Sequence, residues 1–399
     1  MFDHGPLEIE THGALFDVDA ARAQRRSLDQ PPQMPIGDAV RVATRETGSG
    51  TSWLSGFWRC LNGPGKLSAA EYFYYKLYDN QYDDDARVRF VGKTAQARMH
   101  MACCDTRWFA VASDKLLFLS MMRGAGIPVP ETLAVFDATG RRTHMHMISS
   151  VEGMTAFLNN PRSYPLFAKP IDGMYSIGAI AMTDGGHGVA HVPGAGNVSV
   201  REIADYMQKL GSDGYLLQRT LLPPTVLADA FGGALATVRF LVLNGKAGPK
   251  IESAVIKIPT KGSIADNYWR DGNMLGALDS ESGQITRIVT GSGATLSEVT
   301  HHPDTEAALI GLQLPDWHAA RAMCERAAGT LPGLGTQSWD IALTPKGPVV
   351  MEVNWGGDLN LHQLAHGHGA LTPTFAAHLR CHGYEGKLPL TNANETDSV

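Results

Sequence analysis

Several things are missing from this sequence, and each absence removes a class of function. No run of Lys and Arg exceeds two or three residues, and the formal net charge is -6. A nucleic-acid binder needs a concentrated basic face to neutralise phosphates, so that partner is not expected. No apolar stretch reaches the roughly 18 residues of a membrane-spanning helix. The best run, Trp108 to Met122, is broken by Asp114 and Lys115. Met1 to Glu10 carries acids and lacks the apolar segment of a secretory signal, which predicts no export. Five cysteines stand at 60, 103, 104, 324 and 381, an odd number with no Cys-x-x-Cys pair. That pattern fits a reduced, cytoplasmic protein rather than a disulfide scaffold.

Familiar catalytic signatures are absent too. There is no G-x-x-x-x-G-K-[ST] phosphate loop, no G-x-G-x-x-G after a strand and no G-x-S-x-G elbow. His362, His366 and His368 crowd together, the first two at i, i+4, but the glutamate of an HExxH zinc helix is missing. They read as surface or pocket histidines rather than zinc ligands. Internal repeats and low-complexity tracts are also lacking.

What remains is a chain of 399 residues, 44% apolar and 19% charged, long enough for two or three domains. Pro31, Pro32 and Pro35 predict a poorly ordered lead-in. Ser68 to Tyr78 reads as a helix capped by Ser68, with core aromatics at 72, 74, 75 and 78. Asp83 to Asp85 reads as a solvated loop. Ser113 is expected to cap a helix that Gly124 ends. Strands are expected after the Pro-rich turn at 127–130, on both sides of a glycine-containing loop at 163–183, and at 215–222, 234–244 and 251–258. A helix is expected over 315–328 and a hairpin over 339–354, turning at Pro345-Lys346-Gly347. Strands with helices between them indicate a mixed α/β chain.

The densest chemistry lies on that hairpin. Glu352 and Asn354 share one face of a strand because residues i and i+2 point the same way, and the hairpin brings Asp340 beside them. Three oxygen donors on one face suit magnesium; the alternative is the polar outer face of an exposed hairpin. Lys115 sits in the first turn of its helix, where positive charge opposes the dipole unless an anion is near. Lys169 ends an apolar strand before the loop at 172–178, whose Gly173, Ser176 and Gly178 permit close approach of backbone amides to phosphate. Arg239 lies mid-strand among apolar neighbours (TVRFLV) and needs an anionic partner.

In this order, from about Ser113 to Gly383, the pieces resemble the ATP-grasp superfamily. They run DK-helix-GIPVP, strand-Lys-Pro with a glycine loop, hinge strand, Arg-bearing strand, then D…E-x-N. The preceding EYFYYKLY and FVGK look like its sugar-transfer-associated branch. The resemblance implies two α/β lobes holding ATP between them, preceded by a partly helical extension. The expected division is 1–112 extension, 113–217 N-terminal and lid lobe, 218–385 C-terminal lobe, and a flexible tail at 386–399. It implies that Lys115 and Lys169 contact ATP phosphates under the Ser176 loop. Gln218, Thr220 and Leu221 would meet adenine. Arg239 would stabilise the transferring phosphoryl group, with Lys169 assisting, and Asp340, Glu352 and Asn354 would hold Mg2+. The implied reaction joins a small-molecule or peptide carboxylate to a nucleophile, usually an amine, through an acylphosphate, with homodimerisation left open. One departure stands out. Many ligases of this superfamily have an arginine two residues before the metal aspartate; here it is Ser338, and Arg270 is the candidate replacement at the substrate. A phosphotransferase acting on a hydroxyl and a non-catalytic nucleotide-binding protein remain the alternatives.

Overall fold

The structure is a computed structural model describing residues 16–28, 36–48, 51–141, 143–173, 176–211, 213–260, 268, 272–291 and 293–389. The prolines of the expected lead-in, Arg270 and the last ten residues of the tail lie outside the described residues.

Fifteen strands among the described residues build three sheets. In chain order they are β1 (Thr132–Phe136), β2 (Met147–Ile148), β3 (Leu166–Pro170), β4 (Ile180–Met182), β5 (Asp184–Gly186), β6 (Val189–Val192), β7 (Gly196–Ser199) and β8 (Tyr215–Arg219). There follow β9 (Thr237–Gly245), β10 (Gly248–Ile258), β11 (Met274–Leu278), β12 (Ile285–Thr290), β13 (Ser297–Glu298), β14 (Thr336–Thr344) and β15 (Gly347–Trp355). A five-stranded sheet runs β2-β1-β8-β3-β4, a seven-stranded sheet β13-β12-β11-β10-β9-β14-β15, and a small sheet β5-β6-β7.

Each of the two large sheets packs on a hydrophobic core, and the small sheet shares that of the five-stranded one. Helices Val151–Leu158 and Val200–Leu210 bury their apolar stripes on the five-stranded sheet, enclosing Met154, Ile203, Met207 and Leu217. On the seven-stranded sheet, helix Trp317–Gly329 packs against β9, β10, β14 and β15. The other face of β10, β11 and β12 carries helix Leu359–His366 and the aromatic residues of the N-terminal extension. Every residue of β14 is buried. That explains why its sequence, TQSWDIALT, lacks the alternation of a half-exposed strand.

Local departures from expectation have simple causes. Ser68 does cap a helix, in a capping box with Glu71, but the helix stops at Tyr74, and Lys76 then adopts a φ of 52°. Tyr72, Tyr74, Tyr75 and Tyr78 are core residues, as expected. Asp83 caps the short helix Asp84–Arg87 instead of sitting in an open loop. Asp114, not Ser113, caps helix Lys115–Gly124, accepting from Leu116 N and Leu117 N at 2.8 and 3.0 Å. A carboxylate is the stronger acceptor at a helix N-terminus, and Ser113 is the last residue of the preceding helix Phe109–Ser113. The expected domain boundary at 217–218 lies within β8.

Candidate functional site

The two large sheets face one another across a cavity of about 1420 Å³. From the five-stranded side it receives Phe167, Lys169, Ala181 and the segment from Gln218 to Leu222. From the seven-stranded side it receives Thr237, Arg239, Lys257, Asp340 and the run Met351 to Asn354. Helix Lys93–Cys103 of the N-terminal extension closes one end with Lys93, Gln96 and His100.

Strand register assembles the charged wall. Asp340 pairs with Arg239 on one neighbour and Glu352 on the other, so three ionisable side chains form one rung across β9, β14 and β15. Arg239 finds the anionic partner its apolar strand demanded. It donates to Asp340 through Nε at 2.6 Å and Nη2 at 2.7 Å, and lies 4.0 Å from Glu352. Lys257 donates to the same Asp340 Oδ2 at 2.9 Å. Burial opposes the ionisation of Asp340, but Arg239 and Lys257 outweigh it and hold the carboxyl well below the usual carboxylate range. For Arg239 the order is the same: burial works against its charge, and Asp340 and Glu352 more than offset that, keeping the guanidinium charged.

Glu352 and Asn354 do share a face and both line the cavity. A register shift between Asp340 and Ile341 places Met351 opposite no single partner, and Met351 joins Phe167, Ile177 and Ala181 in the apolar part of the wall.

Lys169 faces this wall from β3. Burial draws its ammonium down to about 8; Lys115 pulls the same way, while Glu352 and Asp340 pull back. No hydrogen bond or ion pair ties its ammonium down among the described residues. Lys115 instead donates to Ile171 O at 3.4 Å and to the Gly173 carbonyl, at the entry to the 172–178 loop. The stacking of Phe109 on Trp355, 4.1 Å between centroids, anchors the preceding helix to β15. Ser176 has a φ of 58° and Gly178 one of 76°. A Cβ on Gly178 would meet Leu210 Cδ2 at 2.5 Å, so glycine is required there both for space and for backbone angle.

Other expected residues sit differently. Gln218 lines the cavity but is 2% exposed, and its amide nitrogen turns to Thr132 Oγ1 at 3.4 Å. The Thr220 N–H is committed to Pro165 O at 3.3 Å; Leu221 is on the wall. Ser338 is fully buried. A Cβ on the overlying Gly357 would approach its Cβ to 2.6 Å, so this side chain is sealed from any substrate. His362 bonds Ser253 Oγ through Nδ1 at 2.7 Å, its buried Nε2 having no hydrogen-bond partner, and His366 bonds Ala254 O at 3.1 Å; neither belongs to a cluster of three metal-ligating side chains among the described residues.

Lys257, Lys93 and Asp358 are among the wall residues that escaped the sequence reading. Lys257 carried the same signal as Arg239, a lone cation in an apolar strand (SAVIKI). Lys93 and Asp358 carried none. Asp358 caps helix Leu359–His366; burial pushes its carboxyl up, with Arg239 and Lys93 opposing. The turn before it is held by Gln96 and His100, both bonded to Gly357 O, at 3.0 and 3.1 Å.

No curated protein sequence matches the chain. Among solved structures, the chain is similar to the D-alanine-D-alanine ligase from Coxiella burnetii at 14% identity and a TM-score of 0.39, covering 69% of this chain and 57% of that one. It is similar to the VanG D-Ala:D-Ser ligase from Enterococcus faecalis at 16% and 0.40, covering 70% and 63%. The ATP-grasp ligase PsnB complexed with a minimal precursor gives 15% and 0.36, covering 69% and 63%. The chain thus spans less than two thirds of the length of these structures. The sequence pattern of one family matches residues 95–376, beginning within helix Lys93–Cys103 and ending within the last helix, Pro373–Cys381. With more than half of its length so matched, the chain belongs to the sugar-transfer associated ATP-grasp family.

Proposed function

We propose that this protein is an ATP-dependent ligase that activates a substrate carboxylate and joins it to a nucleophile, usually an amine. The observation that supports this most is the convergence of Lys115, Lys169, Arg239, Lys257, Asp340, Glu352 and Asn354 on one cavity between two sheets. Phosphoryl transfer needs chiefly positioning and charge neutralisation, and this wall has the groups for both. In the first step a carboxylate oxygen attacks the γ-phosphorus, the bond to the β-bridging oxygen breaks, and ADP leaves. In the second, the amine nitrogen attacks the acyl carbon, phosphate departs and the amine proton passes to solvent.

The residues divide this work. Lys169 and Lys115 neutralise the phosphates from the lid side. Arg239 and Lys257 face them from below, where Lys257 is a further cation in place of the arginine missing at Ser338. The slot between Phe167 and Met351 takes adenine. With the Thr220 N–H engaged, adenine pairing falls to the Thr220 carbonyl and the Leu221 amide, and Gln218 steadies the hinge. Magnesium takes oxygen donors. Glu352 and Asn354 offer them openly; Asp340 already accepts three hydrogen bonds, leaving about one of its four lone-pair sites. The set fits an ion held mainly through Glu352 and Asn354. When bound, such an ion would offset the negative charge of the phosphates.

The test is a screen of carboxylates and amines for ADP release, with hydroxylamine added as a trap. Acylphosphate gives a hydroxamate. ADP release with a hydroxyl-bearing acceptor and no hydroxamate makes the protein a phosphotransferase and overturns the ligase reading.

A further inference from the structure

Away from the cleft, the last residue of helix Lys93–Cys103 meets the end of helix Pro373–Cys381. His378 and His382 stand at i, i+4, one above the other on one helix face. One ligand atom each from Cys103, His378 and His382 lies within 4.8 Å of the other two. Among the described residues this is the only such group of His, Cys, Asp and Glu. We propose that Cys103, His378 and His382 form a zinc-type metal site that joins the N-terminal extension to the C-terminal helix.

Three observations carry it. First, His378 is 7% exposed, yet its Nε2 is buried with no hydrogen-bond partner. A buried ring nitrogen is ordinarily satisfied; a metal satisfies it. Second, the His382 imidazole is oriented from behind: its Nδ1 contacts His378 O at 3.0 Å. A ring nitrogen that donates to a carbonyl leaves the other as a lone pair, the usual outer support of a metal-bound histidine. Third, the backbone makes room. Gly335 N–H donates to Cys103 O at 2.9 Å, and a Cβ on Gly335 would stand 2.7 Å from His382 Nε2. Only glycine lets that nitrogen come so close.

Thiolate and imidazole together select zinc over magnesium. Zinc–ligand bonds of about 2.0–2.3 Å set ligand atoms roughly 3.3–3.8 Å apart, so side-chain rotation of about an ångström closes the set. Solvent supplies the fourth ligand beside half-buried His382. Binding transfers the Cys103 thiol proton to solvent. The site would clamp the same helix whose Lys93, Gln96 and His100 line the cleft.

The experiment uses full-length protein stripped with a chelator, without nucleotide and in excess MgCl2. ZnCl2 or CoCl2 alone is then titrated. One equivalent of zinc should be retained through gel filtration, and the cobalt form should show a thiolate-to-cobalt charge-transfer band. Cys103→Ser should remove that band, and His382→Gln should weaken zinc by at least about tenfold. Cys381→Ser, at the exposed cysteine between the two histidines, should change neither. Circular dichroism confirms that each variant is folded. His382→Gln, at a half-buried helix end, serves if Cys103→Ser does not fold. No retained zinc in the parent protein, or binding unaltered by His382→Gln, overturns the proposal.

Discussion

At the scale of single side chains, the rung Arg239–Asp340–Glu352 divides structural from chemical duty. Asp340 is a buried anion between two cations, and removing it would take from both the carboxylate they share, at a cost of about 3–5 kcal/mol. Glu352 is a third exposed, and Arg239 stands at 4.0 Å, so its carboxylate is open to a cation from the cleft. Glu352→Gln should therefore cut ADP formation at least about a hundredfold while shifting stability by less than about 0.5 kcal/mol. Paired turnover and thermal-melt measurements check this; unchanged turnover in the folded variant would remove Glu352 from the metal site. Lys169 makes a pH prediction. Its folded pKa is lowered to about 8, below the unfolded value, so this group adds stability as pH rises through that interval, where the unfolded chain binds more protons. Nucleotide phosphates favour the charged form. Mg-ATP affinity should then be constant below about pH 8 and fall up to tenfold per unit above it, with one proton taken up on binding. Calorimetry in two buffers measures that uptake, and Lys169→Arg should abolish it.

Elements place these groups, and some were readable in advance while others were not. The hairpin β14–β15 announced itself by two apolar runs around Pro345-Lys346-Gly347, and the register puts Asp340 opposite Glu352. The order of the strands between was not readable. β9 lies beside β14, nearly a hundred residues later, and only that adjacency brings Arg239 onto Asp340. Helix Lys115–Gly124 shows a finer limit. Ser113 and Asp114 both have capping chemistry, and the choice depends on Ser113 being used to finish the previous helix. Asp114→Ala should cost about 0.5–2 kcal/mol, with some loss of Lys115 placement because Arg141 also bonds Asp114 at 2.7 Å. Ser113→Ala should be near neutral. Urea unfolding of the two variants separates them, and equal losses would return the cap to Ser113.

For the whole molecule, the cavity draws its walls from both large sheets and the N-terminal extension, so a ligand there binds only the assembled fold. Mg-ATP at a hundred times its Kd should raise unfolding free energy by about 2.7 kcal/mol. A hinge that pairs with adenine discriminates against guanine, which presents an acceptor where adenine donates. One mispaired buried group costs about 1–3 kcal/mol, roughly one to two decades in affinity. GTP at the same concentration should therefore give about half the rise or less. Thermal shift with both nucleotides is the check, and equal shifts would sink the adenine-reading hinge.

The sequence alone determined the mixed α/β class, the candidate nucleotide-binding pieces and their order, and the hairpin with its oxygen donors. These are local: periodicity, turn residues and lone charges in apolar strands are written within a few positions. The tertiary structure alone decided that Asp340 is held by Arg239 and Lys257 and that Ser338 is sealed beneath Gly357. It also decided that helix Lys93–Cys103 lends a wall to the cleft and that Cys103 lies beside His378 and His382. Those contacts join residues far apart in the chain. They follow from sheet order and from what each face must bury, which no local pattern specifies.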